Sequence, residues 1–374
     1  MSVPIGMGGP IVIGAGGTGG HMFPAAALAQ VLRDRGRTVV LMTDSRTEDR
    51  ARSLFPDSEI YVLPSAGVAG RGLVRSGLAL GSLMRGTFAA RRIFRKIKPS
   101  AVLGFGGYPS VPPVLASRFV NPRPLIILHE QNAVLGRANR RLARRADVLA
   151  LSFEHTQSIP EGTTSVLTGN PVRPEIAARQ GASYEPPHLG PIRLLVLGGS
   201  LGAKIFSDVV PAALAKLPHD VRSRLIVTQQ AREDGAAAVR DFYRQEMIEA
   251  EVAPFFNDVA SLLTNAHLVI SRSGASSIAE LAAIGRPSLL VPLPAAIDDH
   301  QTENCRALVE HQGAIWMPQP MFTAALLAQV LGHFFAEPFR LAAMARDAQK
   351  LARPHAAADL ADLIERQLHQ RAAA

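Results

Sequence analysis

Three apolar runs in this chain break into glycine-rich turns: Ile11-Val12-Ile13 into Gly14-Ala15-Gly16-Gly17-Thr18-Gly19-Gly20-His21, Ala101-Val102-Leu103 into Gly104-Phe105-Gly106-Gly107-Tyr108, and Leu194-Leu195-Val196-Leu197 into Gly198-Gly199-Ser200-Leu201-Gly202. A helical pattern follows each one. Glycine lets the backbone approach a ligand, and the N–H groups at a helix start carry partial positive charge, so each turn suits an oxyanion such as phosphate. Two such turns near the start and one past the middle predict two phosphorylated ligands. His21, at the end of the first turn, is placed to act as a base or as a hydrogen-bond donor to the anion. The stretch Gly14-Ala15-Gly16-Gly17-Thr18-Gly19 also satisfies the dinucleotide fingerprint, with Asp44 where a ribose-binding acid would stand, so a nicotinamide or flavin oxidoreductase competes. Against it, the extra glycines and His21 suit an anion cradle better than a tight dinucleotide turn.

The elements that must hold these turns alternate regularly. Val-, Ile- and Leu-rich runs at 11–13, 38–43, 101–104, 125–128 and 147–151 read as buried strands, with helices such as 24–35 and 134–145 between them. From Asn170 to Pro191 the chain turns Pro-, Gly- and polar-rich, as a hinge or linker would. A second series then places strands near 192–198, 224–228, 267–271 and 288–292, and helices near 204–216, 234–247, 275–284 and 301–311. Residues 323–335 and 338–371 read as terminal helices, the last packing back on the first domain. The fold class is therefore α/β, with two doubly wound Rossmann-like domains. Ligands of such sheets bind beyond the carboxyl ends of the strands, so two of them facing each other would form one cleft.

With 374 residues and 47% apolar content, the chain can build two cores. Its single cysteine, Cys305, excludes a disulfide framework and a cysteine-rich metal site, and fits a reducing cytosol. Residues 1–32 carry no Asp, Glu, Lys or Arg, but glycines and prolines crowd them, which reads as strand, loop and helix rather than a signal peptide or membrane span.

The net charge of +9 is unevenly spread. No acidic residue lies between Glu59 and Glu130, where Arg71, Arg75, Arg85, Arg91, Arg92, Arg95, Lys96, Lys98, Arg118 and Arg123 form a patch of one sign. Leu73, Leu80, Leu83, Met84 and Phe88 are interleaved with them, and no aromatic RNA-binding signature or zinc-finger spacing accompanies them, which favours anionic lipid over nucleic acid. An idealised wheel over 71–85 sets Arg71, Arg75 and Arg85 opposite Leu73, Leu80, Leu83 and Met84, although glycines 72, 77, 81 and 86 argue against one continuous helix. The plain alternative is core leucines and solvated arginines.

Further segments carry a resemblance along almost the whole chain. His129-Glu130-Gln131-Asn132, Gly169-Asn170-Pro171-Val172-Arg173, Gly198-Gly199-Ser200-Leu201-Gly202-Ala203, Ser271-Arg272-Ser273-Gly274-Ala275 with Glu280, and Asp299-His300-Gln301 resemble the MurG family of bacterial peptidoglycan synthesis. The resemblance implies a GT-B fold, with an acceptor- and membrane-binding domain over 1–172, joined by the C-terminal helix 353–374, and a UDP-sugar domain over 173–352. It implies an inverting hexosyltransferase that moves N-acetylglucosamine from UDP-N-acetylglucosamine to lipid I, the undecaprenyl-diphosphate-linked N-acetylmuramyl-pentapeptide, giving lipid II. The place of work would be the cytoplasmic face of the plasma membrane, with proteins of the cell-wall machinery as further partners.

Residue by residue, the resemblance implies that Thr18, Gly19, Asn132, Arg173, Ser200, Phe256, Glu280 and Gln301 hold the donor. Glu280 would accept from the ribose hydroxyls, Phe256 would offer its backbone to uracil, and Gln301 would read the sugar hydroxyls beside Asp299, His300 and Asn304. Thr302 departs from relatives with a second glutamine, which leaves its sugar contact open. Gly16, Gly17, Gly20, Gly106, Gly107 and Tyr108 would form the acceptor-diphosphate site. His21 would be the catalytic base, with Glu130 and His129 as rivals. No Asp-x-Asp triplet or His-Glu-x-x-His spacing appears, so no metal site or required cofactor is expected, with loose magnesium association with UDP left open. A non-catalytic UDP-sugar or lipid-binding module, and a GT-B transferase for another lipid acceptor, are the alternatives.

Overall fold

The computed structural model describes residues 8–64, 73–199 and 202–373. They form two units, Met1–Arg173 with His355–Ala374, and Pro174–Pro354. In the first unit β1 (Ile11–Gly14), β2 (Val39–Thr43), β3 (Glu59–Val62), β4 (Ala101–Gly104), β5 (Leu125–Glu130), β6 (Val148–Leu151) and β7 (Ser165–Leu167) make a parallel sheet in the order β3-β2-β1-β4-β5-β6-β7. Successive side chains of a strand point to opposite faces, and here both faces are buried. Ile11, Ile13, Leu41 and Leu103 enter one core layer with Leu28, Leu32, Leu360 and Ile364, while Val12, Val40 and Val102 enter the other with Phe94 and Leu142.

The helix Ala356–Ala373 supplies part of that first layer. Arg35, at the end of the helix Gly19–Asp34, donates to Asp362 at 2.6 Å and Glu365 at 2.9 Å, and Arg371 pairs with Asp147 at 2.6 Å. The expected single helix over 338–371 is corrected. It divides into Pro338–Gln349 in the second unit and Ala356–Ala373 in the first, with Pro354, which cannot donate to a helix ladder, between them.

In the second unit β8 (Ile192–Leu197), β9 (Leu225–Gln230), β10 (Glu249–Ala253), β11 (Leu268–Ser271), β12 (Ser288–Leu290) and β13 (Ala314–Trp316) form a parallel sheet ordered β10-β9-β8-β11-β12-β13. The stretch expected to be a linker is attached to this unit from Pro174 onward. Gly181 N–H donates to Ala283 O at 3.1 Å, Tyr184 OH to His267 O at 2.8 Å, and the buried Arg286 guanidinium to Ser183 O at 3.1 Å. Arg286 also donates to Leu263 O and Thr264 O, which end the helix Val259–Asn265, and to Ile284 O and Gly285 O, which end Ala275–Ile284. A cation at two helix C-termini meets the negative ends of their dipoles, so this buried charge needs no carboxylate.

The interval of one-signed charge contains the helix Leu73–Ile97, continuous despite its glycines. Gly86 has a packing reason, since a Cβ there would lie 2.2 Å from Pro64 O.

Candidate active site

The two glycine turns of the first unit leave the carboxyl ends of β1 and β4, which are neighbours where the strand order reverses, the usual ligand position of an open α/β sheet. Gly17, Gly106 and Gly107 have φ of +89°, +80° and +69°, which a residue with a Cβ rarely adopts. Gly16 is required by space, because a Cβ would sit 2.7 Å from Pro109 Cγ and 3.0 Å from Thr43 Oγ1. Thr18 is the N-cap of Gly19–Asp34, whose first turn holds Gly20 and His21 and no acid, so its N–H groups suit an anion. Thr18 Oγ1 lies 3.3 Å from His21 Nδ1, and the opposite edge of the His21 ring lies against Gly106. Tyr108, half-buried, opens the 3-10 turn that follows Gly107. The sequence thus placed His21, Gly16, Gly17, Gly20, Gly106, Gly107 and Tyr108 in what is one locus of the first unit. Asp44, the acid of the dinucleotide reading, is buried and engaged by Arg46 and Thr47.

The His129-Glu130-Gln131-Asn132 segment begins at the end of β5, and its first two residues are the rival candidates for the base. His129 is fully buried, with Nε2 at 3.0 Å from Gly169 O and Nδ1 at 2.9 Å from Gln131 Nε2. A carbonyl can only accept and an amide NH2 only donate, so His129 is a neutral Nε2–H tautomer whose lone pair is taken. Burial pushes its pKa down to about 4, and the nearby His21 charge acts in the same direction. Glu130 is also buried. Burial raises its pKa against four N–H donors that hold it down: Asn132 N and Nδ2, Gly136 N, and Asn139 Nδ2.

Arg173 is the residue at which the first unit gives way to the second, one position from the boundary the sequence suggests, and its guanidinium lies 5.0 Å from the centroid of the Phe23 ring, a cation–π contact.

In the second unit the Gly198 turn leaves β8 and the Ser271–Gly274 segment leaves β11, again neighbours where the strand order reverses. Gly198 admits no side chain, since a Cβ would lie 2.4 Å from Ala203 N, and Gly199 and Gly202 have φ of +82° and +67°. Ser200, the expected phosphate ligand, lies outside the described residues, as does Arg71. Glu280 stands in the helix Ala275–Ile284. It was expected at the rim of a cleft, yet keeps only 8% of its surface accessible. Phe256 is a buried residue between β10 and the next helix. Gln301, in the first turn of the helix His300–Glu310, accepts the Leu293 N–H at 3.0 Å through Oε1. Asn304, on the same helix, donates to Ser273 O at 3.2 Å, tying it to the loop before Glu280.

Sequence reasoning missed Gln230 and assigned no role to Arg272, although Arg272 stands in a segment that carries the resemblance. Gln230 Oε1 accepts the Gly198 N–H at 3.0 Å while its Nε2 donates to Pro254 O at 3.0 Å, so one amide joins the glycine turn to the segment carrying Phe256. Arg272 donates to Val291 O and Pro292 O at 3.0 Å and to Gln319 Oε1 at 2.7 Å, fixing the ends of β11 and β12. The available signal was a polar side chain at the carboxyl end of a buried strand.

On the helix Leu73–Ile97, Leu80, Met84 and Phe88 are 60%, 54% and 61% exposed and recur every fourth residue, on one face, while Leu83 is half-buried. Arg85, Arg92, Arg95 and Lys96 of the same helix are exposed. No helix among the described residues is long and apolar enough to cross a membrane.

Residues 11–150 match the glycosyltransferase family 28 N-terminal domain and residues 193–364 the C-terminal domain of that family. The UDP-N-acetylglucosamine–N-acetylmuramyl-(pentapeptide) pyrophosphoryl-undecaprenol N-acetylglucosamine transferase of Granulibacter bethesdensis is 54% identical over 360 residues, which cover 96% of this chain and 94% of that protein. The transferase of the same name from Gluconobacter oxydans is 52% identical over 362 residues, 96% of this chain and 99% of that protein. The crystal structure of MurG from Acinetobacter baumannii is 30% identical, with a TM-score of 0.78 over 96% of this chain and 99% of that one.

Proposed function

The chain belongs to the MurG family of glycosyltransferases and has its two-domain GT-B fold, and on that premise we propose that it transfers N-acetylglucosamine from UDP, with inversion, to the muramyl sugar of lipid I. The observation that carries this reading is the pair of glycine turns at helix N-termini, one in each unit at the point where strand order reverses, with His21 beside the first and Glu280 in the helix that follows the strand next to the second. In the step itself an acceptor hydroxyl forms the new bond to the anomeric carbon, the bond to UDP breaks, a base takes the hydroxyl proton, and the diphosphate leaves with the electron pair. We assign the base to His21; that the acceptor sites of His129 and Glu130 are engaged within the first unit supports this reading. Glu280, Gln301 and Phe256 serve the donor, and the Gly16–Gly20 and Gly106–Tyr108 turns serve the acceptor diphosphate.

The acceptor's polyprenyl tail stays in a bilayer, so this reading includes a peripheral contact with an anionic membrane on its cytoplasmic face. The exposed Leu80, Met84 and Phe88 stripe among exposed basic residues supports it. We assign the phosphate charge to N–H groups of the turns and helix starts, which carry partial positive charge. The test is radiolabelled transfer from UDP-N-acetylglucosamine to a lipid I analogue, with and without EDTA. Labelled disaccharide lipid is expected in both. Release of free sugar without transfer would overturn the reading, and complete loss in EDTA, restored by magnesium, would move the charge stabilisation to a cation.

A further inference from the structure

The end of β9 meets the glycine turn of the second unit at two places. Gln230 Oε1 accepts the Gly198 N–H at 3.0 Å. Two residues further on, Arg232 lies against Gly202, where a Cβ would come within 2.9 Å of Arg232 Cγ, 3.7 Å of its N and 3.8 Å of its Cα. Gly202 also has φ of +67°, so the backbone and the arginine stem both demand glycine there. The stem is thus laid along the turn, while the side chain as a whole stays 55% exposed. Its ion pair with Asp234 is loose, with Nε 3.4 Å from Oδ1 and the aspartate side chain 74% exposed. An exposed pair of this kind is worth little in water, so the guanidinium is free to exchange it for a more highly charged anion.

The charge at this place runs against the helix that follows the turn. The helix Lys204–Leu214 begins with an exposed lysine and has no acid in its first turn. A helix N-terminus carries partial positive charge and favours acids, so Lys204 and Arg232 set two cations where the fold alone would prefer none. An anion bound at the turn removes that conflict.

We propose that Arg232 is a further catalytic residue of the transfer, its guanidinium moving from Asp234 to the diphosphate of the donor. The inference rests on the glycosyl-transfer reading above and adds a side-chain cation to the N–H groups assigned there. As the acceptor hydroxyl bonds to the anomeric carbon and gives its proton to the base, the bond from that carbon to the diphosphate oxygen breaks and its electron pair stays on the diphosphate. The diphosphate thereby gains negative charge. A guanidinium meets phosphate oxygens through parallel N–H bonds, so its hold strengthens as the bond breaks, and an interaction stronger in the transition state than in the ground state lowers the barrier.

The test compares the native full chain with Arg232→Gln, Arg232→Lys and Asp234→Asn. For each, calorimetry gives the affinities for UDP and for uridine, thermal melting reports the fold, and the single-turnover rate of transfer is measured at saturating donor and acceptor. Arg232→Gln should weaken UDP binding about tenfold or more and slow transfer at least tenfold, with uridine affinity and melting temperature unchanged. Arg232→Lys keeps the charge without the planar fork and should fall between the two. Asp234→Asn should act in the opposite direction and tighten UDP binding by up to about fivefold, because the carboxylate competes with the diphosphate for one guanidinium.

A pair that only braced the loop would give a different pattern. Arg232→Gln and Asp234→Asn would then act alike, and on uridine as much as on UDP, which overturns the proposal. An Arg232→Gln variant that keeps the native transfer rate overturns it too, with native transfer and the functional reading left standing. A native protein that binds UDP no better than uridine and transfers no sugar overturns both.

Discussion

The His21 imidazole lies against the open face of Gly106, so that a methyl group added there would come within 3.3 Å of both Cδ2 and Nε2 of the ring. Gly106 also has φ of +80°, where an L-residue is strained by about 1–2 kcal/mol. Gly106→Ala should therefore displace His21, and a displacement near 1 Å lowers turnover by about 10²-fold. UDP affinity should change far less than turnover, because Glu280 and Gln301, which serve the donor, belong to the second unit. Steady-state kinetics beside calorimetric titration with UDP checks this, and a variant with unchanged turnover would remove His21 from the chemistry.

Glu280→Ala should weaken UDP binding, since a charged acceptor on the ribose hydroxyls is worth about 1.5–3 kcal/mol, roughly 10- to 150-fold in affinity. The side chain is 8% exposed, so some loss of melting temperature should accompany it. Calorimetry on the folded variant decides the point: equal affinity would take Glu280 out of the nucleotide site.

His129 links the same locus to pH. Its folded pKa of about 4 lies below the unfolded value near 6.5. Between those values the unfolded chain binds a proton that the folded chain refuses, so the stability present above pH 6.5 is lost as pH falls toward 4, by about 3 kcal/mol in all. Urea denaturation at pH 7.5 and pH 5 should show this loss in the native protein and a smaller one in His129→Gln. Equal pH dependence in the two would mean that His129 is not held neutral.

The interior of both sheets was legible from the sequence, and their edges were not. The runs read as strands became β1, β2, β4, β5 and β6 in one sheet and β8, β9, β11 and β12 in the other, whereas β3, β7, β10 and β13, all edge strands, escaped. An interior strand between two helical layers is a continuous apolar run, but Glu59-Ile60-Tyr61-Val62 and Glu249-Ala250-Glu251-Val252-Ala253 carry exposed glutamates, and β7 and β13 have three residues each. The glycine turns could be read because the backbone itself demands glycine. The engaged oxygens of Glu130, the Gln230 bridge and the place of Arg173 beside Phe23 could not, since each depends on residues brought together only by folding.

The stripe on the helix Leu73–Ile97 gives the membrane reading a test that leaves the chemistry alone. Leu80, Met84 and Phe88 are each more than half exposed, and their burial in a lipid interface would contribute by removing apolar surface from water. Arg85, Arg92, Arg95 and Lys96 on the same helix would add about 1 kcal/mol each near an anionic surface, a contribution that salt weakens. Replacing Leu80, Met84 and Phe88 together by Ser should reduce co-sedimentation with anionic liposomes at both low and high salt. Replacing Arg85, Arg92 and Arg95 by Gln should reduce it mainly at low salt. Turnover of a short-chain, water-soluble acceptor should stay near the native value in both variants, because none of these side chains belongs to the glycine turns or the His129–Asn132 segment. Undiminished liposome binding by both variants would show that the stripe is only a solvated helix face and that the lipid contact lies elsewhere.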